Sequence, residues 1–275
     1  MKTVTLPPAP GLRPGEIPAP RPTGGLCHHA MARLLAAPHE PLLFADWDRT
    51  LMIHYEIDPE ILRPFVPFPL DVREGKAYVT LVAFTMRGLR PRWGGRLARW
   101  LTWPIATHGL LNVRTYVCVG DETGIYFLTE YMNHPLALKL GPLAFGLPYK
   151  FARLDWRHDW EHGTLAGRAT DLRHRAAFVY DATFEPAPRF APAAAGTLTE
   201  WLMERYTAFT VRRGVRLLFR VWHPPWGNAP VKVNVRDDTL LRKHLPWFAR
   251  ARYIGANFAP GVTDVWMGRP HPVAA

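Results

Sequence analysis

The feature that most constrains this chain is a pair of β-forming runs, Leu110–Val119 and Ile125–Met132, on either side of Gly120-Asp121-Glu122-Thr123-Gly124. Two such runs around a glycine-bounded turn predict an antiparallel hairpin. Other short runs repeat the pattern: Ala45–Glu56, Ala77–Met86, Tyr149–Trp156, Leu165–Leu172, Ala176–Phe184, Val211–Val221 and Val231–Val235. Short strands at this spacing predict a mainly β (α+β) chain, an antiparallel barrel or sandwich with a few helices on its rim.

The helices are signalled by their ends. Asp58-Pro59 opens a short one, with Asp as N-cap and Pro at the first helical position. The apolar stretch 135–145 is helical and stops near Gly146, Thr199 caps a helix running to about Tyr206, and a short helix lies near Asp238–His244. Residues 186–196 form a loop. The first 40 residues, with seven prolines between positions 7 and 22, are expected to be an extended or disordered leader, and 41–275 a single domain.

Absences narrow the chemistry. The chain contains no serine, so a Ser-His-Asp hydrolase is excluded. Its two cysteines, Cys27 and Cys118, cannot build a disulfide framework or a cysteine zinc site, and they fit a reducing compartment. No apolar run reaches membrane-spanning length and no signal-peptide core is present, so a cytoplasmic protein is expected. No glycine-rich nucleotide fingerprint occurs, and no cofactor is expected. His158-Asp159-Trp160-Glu161-His162 matches a zinc-protease pattern, but it lies between two strands and ends at Gly163, so it reads as a turn and no metal is expected.

The formal charge is +11, and arginine supplies 28 of the 34 cations. They are scattered except for Arg87, Arg90, Arg92, Arg96 and Arg99, which interleave with Trp93, Trp100 and Trp103. This segment, 87–103, reads as a loop with a short amphipathic helix: either a solvated lid or a surface for an anionic partner. Dispersed charge argues against nucleic acid as the main partner.

Three groups could carry chemistry. On the first hairpin strand Leu111, Val113, Thr115, Val117 and Val119 share one face; Leu110, Asn112, Arg114, Tyr116 and Cys118 share the other. With Val119 opposite Ile125, Arg114 faces Glu130, on the side that also carries Leu128. That pair is either a buried functional site or a solvated surface pair. Lys150 sits in an apolar run, where it either faces inward as a desolvated nucleophile or snorkels to water. His223, in Trp222-His223-Pro224-Pro225-Trp226, is either part of a ligand mouth or a satisfied histidine in a packed turn.

Several blocks together resemble one family: Leu111-Asn112-Val113-Arg114-Thr115-Tyr116-Val117, Gly124-Ile125-Tyr126-Phe127, Phe145-Gly146-Leu147-Pro148-Tyr149, Leu198-Thr199-Glu200 with Arg205-Tyr206, and His223-Pro224-Pro225-Trp226. The chain resembles the YqjF-like family of unknown function, which is similar to the acetoacetate decarboxylase superfamily. The resemblance implies a cone-like antiparallel β-barrel with flanking short helices and an internal pocket. The decarboxylases use a lysine as Schiff-base nucleophile, in a Pro-Lys-Lys run. Here the run is Pro148-Tyr149-Lys150, with Tyr149 in the slot of the reactive lysine, which argues against Schiff-base chemistry. Leu111 also stands where many family members carry a glutamate.

The expectation is thus a small-molecule pocket protein, a metal-independent lyase or isomerase acting on a small carboxylate or carbonyl compound. Arg114, Glu130, Tyr149 and, if it faces inward, Lys150 would do the chemistry; Asn112, Tyr116 and His223 would bind the ligand. The alternatives are a non-catalytic binder using the same pocket, or a surface-acting protein using segment 87–103. An exposed edge strand would let two copies form a homodimer.

Overall fold

Strands dominate the structure, a computed structural model that describes residues 25–184 and 188–273, the side chain of Leu101 excepted. They are β1 (Leu43–Ile57), β2 (Ala77–Pro91), β3 (His108–Val119), β4 (Glu122–Met132), β5 (Tyr149–Phe151), β6 (Arg153–Asp159), β7 (Thr164–Asp171), β8 (Ala176–Phe184), β9 (Thr207–Arg212), β10 (Val215–Trp222), β11 (Ala229–Asp237), β12 (Arg252–Met267) and β13 (His271–Pro272). The helices are α1 (Leu26–Leu35), α2 (Pro59–Leu62), α3 (Gly95–Thr102), α4 (Pro135–Phe145), α5 (Leu198–Met203) and α6 (Thr239–His244).

Strands β10, β9, β4, β3, β2, β1 and β12 pair in that order, and β12 pairs again with β10 through Val221↔Met267 and Trp222↔Trp266. The circuit is therefore ring-like. From β12 a branch runs through β11, β8, β7 and β6. Two cores result, because side chains alternate across each strand. Met52, Val82, Leu110 and Phe127 belong to one. Leu51, Leu81, Val113 and Leu111, from the opposite face, pack with Leu165 and Phe178 of the branch in the other.

Local signals act as expected at several places. The Asp58 side chain accepts from the Glu60 amide at 2.9 Å, with Pro59 at the first position of α2. Helix α4 ends at Gly146, whose φ of 71° suits glycine.

Other expectations need correction. The run Val211–Val221 is not one strand: Arg213 and Gly214 (φ 52° and 79°) turn it into the β9–β10 hairpin. The run Tyr149–Trp156 breaks at Ala152 into β5, which pairs parallel with β4, and β6, which pairs with β7. Helix α5 is capped by Thr197 rather than Thr199 and ends at Met203. Strand β12 was not expected; Gly255, Pro260 and Gly261 hide it, yet it closes the ring. Residues 1–24 of the expected leader lie outside the described residues, but α1 is a helix that buries Met31 and Leu34 against Trp266.

Candidate functional site

The β3–β4 hairpin builds the site. Its loop is two residues long, because Val119 pairs with Glu122 and Gly120, with φ 59°, takes the first loop position. The pairing therefore differs from the expected one, and Arg114 faces Phe127, not Glu130. The register then shifts between Val113 and Arg114, so that Val113 pairs with Thr129 and Asn112 with Glu130. Leu128 is the extra residue of this bulge and packs in the opposite core, contrary to the expected face. An inserted residue reverses the parity of every later position on its strand. That reversal turns Glu130 to the same side as Ile125 and Phe127.

All three line a cavity of about 250 Å³, together with Asn112, Arg114, Tyr149 and His223. Most of the remaining wall is apolar, supplied by residues such as Val82, Phe84, Met86, Phe145 and Phe219. Asn112, Arg114 and Glu130 are each buried. Arg114 and Glu130 approach the same space without forming an ion pair within 4.0 Å.

Arg114 is held from behind. Its Nη2 donates to the Leu202 carbonyl at 3.3 Å, at the C-terminal end of α5, where carbonyls lack helical partners. Its Nε has no partner, and neither do Glu130 Oε2 and Asn112 Oδ1. Buried polar atoms in that state are costly unless something satisfies them.

Burial without a compensating cation pushes the Glu130 carboxyl up to about 8. At neutral pH it is a neutral acid able to donate a proton. Burial, with the Glu130 charge second, drives the Tyr149 phenol well above its ordinary value, so it too remains a donor. Burial lowers His223, whose Nδ1–H donates to the Pro224 carbonyl at 2.9 Å, leaving Nε2 unprotonated. The His223 ring stacks on Tyr206 with centroids 4.7 Å apart.

Two expected residues lie elsewhere. Tyr149 and Lys150 pair with Glu130 and Tyr131 respectively, so strand alternation sends Tyr149 to the cavity and Lys150 to the face of Tyr131. Lys150 is exposed and does not line the cavity. Tyr116 is buried behind the wall, donating to the Leu202 carbonyl at 2.8 Å and lying 2.6 Å from Thr80 Oγ1. It braces the same carbonyl that holds Arg114. Sequence reasoning missed His108, Arg205 and Trp47, which also line the cavity. Arg205 stands in one of the family-like blocks, but only its ion pair with Asp71 at 2.8 Å shows which way it points.

The zinc-like motif spans the end of β6 and the turn into β7, a hairpin and not a helix. His158 is buried between the Arg49 carbonyl and the Tyr180 hydroxyl, and exposed His162 pairs with Asp159. A different trio, Asp171, His174 and His244, brings ligand-type atoms within 4.8 Å of one another. The Asp171 carboxylate there already accepts from His174 Nδ1 at 2.6 Å.

The profile of the DUF2071 family, described as an uncharacterized conserved protein, matches residues 45–260. The chain belongs to this family. This DUF2071 chain is 28% identical over 197 residues to the uncharacterized protein YqjF of Bacillus subtilis (strain 168), covering 70% of this chain and 78% of that one. Among solved structures it is similar to the enduracididine biosynthesis enzyme MppR, in complex with the condensation product of pyruvate and imidazole 4-carboxaldehyde (TM-score 0.58, 12% identity, 84% of this chain and 89% of that one). It is also similar to acetoacetate decarboxylase from Legionella pneumophila (TM-score 0.57, 13% identity, 93% and 98%). The DUF2071 chain therefore has the acetoacetate decarboxylase-like fold. No helix among its described residues is long and apolar enough to cross a membrane.

Proposed function

We propose that this protein binds a small carboxylate or carbonyl compound in the ring cavity and acts on it by general acid–base chemistry, as a lyase or isomerase without a Schiff base. The observation that carries this reading is the convergence of unsatisfied groups on one apolar cavity. Arg114, Asn112 and Glu130 line it beside the Tyr149 phenol, and each carries a buried polar atom without a hydrogen-bond partner.

The donors and acceptors sort by role. The Arg114 guanidinium and the Tyr149 hydroxyl offer hydrogen bonds to a carboxylate or carbonyl oxygen. Asn112 Oδ1 accepts from a ligand hydroxyl. Glu130, neutral near pH 7, donates a proton to the reacting oxygen or to an adjacent carbon and takes one back from another position of the ligand, which restores the acid. The apolar wall excludes water and strengthens each of these contacts. Lys150 takes no part, because its strand position turns it away.

The structural neighbours support ligand chemistry at a keto group: one holds a pyruvate-derived product, and another is a decarboxylase. A thermal-stabilisation screen of carboxylates and carbonyl compounds tests the reading, with Glu130→Gln and Arg114→Met as controls. Stabilisation of wild type that both variants lose supports it. A screen in which no such compound stabilises the wild type overturns it. Binding without turnover reduces it to the non-catalytic form of the same site.

A further inference from the structure

The cavity lining reaches the surface at α4. Among its lining residues only Leu140 and Ala144, both on α4, are exposed. Leu140 belongs to a stripe: Leu136, Leu140 and Leu143 recur at helical spacing on α4, and all three are exposed. Thr102 and Ile105 line the same cavity from the end of α3 and the turn after it. There too the apolar residues face outward, with Leu97 67%, Trp100 71% and Trp103 77% exposed. Two helices that both contribute to the cavity lining thus present large apolar side chains to solvent.

Charge says what covers them. The sequence has no Asp or Glu between Glu74 and Asp121, and none between Glu130 and Asp155. Arg96, Arg99 and Lys139 are exposed beside the apolar residues and pair with no carboxylate among the described residues. Tryptophan, leucine and unpaired cations on two segments that carry no acid of their own complement an anionic bilayer interface. Rings and leucines enter the headgroup boundary while the cations meet phosphates. A nucleic-acid backbone would use the cations and leave the leucines of both helices unsatisfied.

We propose that this surface docks on an anionic phospholipid bilayer, so that the cavity takes from it a monocarboxylate carrying an apolar tail. The docking stands on its own; the ligand class rests on the pocket function proposed above. A carboxylate held at Arg114 would leave its tail running along the apolar wall towards Leu140.

The test uses the full chain with phosphatidylcholine vesicles, with and without about 30 mol % phosphatidylglycerol. Co-sedimentation and tryptophan emission should show at least about tenfold stronger binding to the anionic vesicles, weakened by high salt. L97D/W100D should retain the circular dichroism spectrum and melting temperature but lose vesicle binding; R96E/R99E should lose the preference for anionic lipid. Equal binding to neutral vesicles, unchanged binding by L97D/W100D, or tighter binding to duplex DNA than to vesicles overturns the docking. So does a solution dimer that L97D/W100D splits, with no vesicle binding. Parinaric acid, a fluorescent monocarboxylate with a hydrocarbon tail, tests the ligand class without vesicles. Enhanced fluorescence with wild type that Arg114→Met abolishes supports it, and no enhancement overturns it. Failure of docking with retained parinaric acid binding leaves the pocket reading standing.

Discussion

Glu130 and Tyr149 are register partners in the parallel pairing of β4 with β5, and both side chains turn into the cavity. A carboxyl group and a phenol, each made harder to ionise by burial, thus stand next to each other as two proton donors. The Glu130 charge is itself one cause of the Tyr149 shift, so the two titrate as neighbours.

That relationship sets a pH dependence. Glu130 is raised to about 8 in the folded protein against an ordinary 4.5, so the folded state holds the proton more tightly. Its contribution to stability is complete below about pH 4.5 and falls as pH rises through about 8. Each unit of separation is about 1.4 kcal/mol. Glu130→Gln removes the titration. Its melting temperature should decline less than that of wild type between pH 5 and pH 8, as differential scanning calorimetry would show, and ligand turnover needing the neutral acid should fall in wild type above about pH 8.

Arg114→Lys keeps a cation but loses the planar fork held by the Leu202 carbonyl. Binding of a carboxylate ligand should weaken by about 1.5–3 kcal/mol, measured by titration calorimetry. The same variant should bind a neutral carbonyl analogue with a much smaller loss.

Lys150 faces away from the cavity, with the Asp171 carboxylate near. Borohydride reduction in the presence of keto acids should leave no mass adduct on Lys150. An adduct there would place the lysine at the reacting carbon and refute the strand assignment.

Gly141 on α4 lies against the Tyr149 ring. A Cβ at that position would overlap the ring edge, coming within 2.7 Å of Cδ2. Gly141→Ala should therefore push the phenol deeper or out of line. A loss of about 1–3 kcal/mol in stability, with weaker ligand binding, should appear in parallel melting and titration measurements.

Much of this was legible in the amino-acid order. The alternation along β3 puts Asn112 and Arg114 on one side and Val113 on the other, and the structure keeps that division. Pro135 and Gly146 bound α4, as their order in the sequence predicts. These are properties of a few adjacent residues, fixed by backbone geometry and side-chain alternation. Only the tertiary structure decided that Glu130 turns inward, because that depends on a bulge at Leu128 whose parity reversal is seen only once β3 is paired. Only it closed the ring, through a β12 strand whose glycines and proline mask its pattern, and only it set Arg205 and His223 beside Arg114. A residue's neighbours along the chain fix which way it points, whereas burial, and with it the protonation of Glu130, depends on distant segments packing against one another.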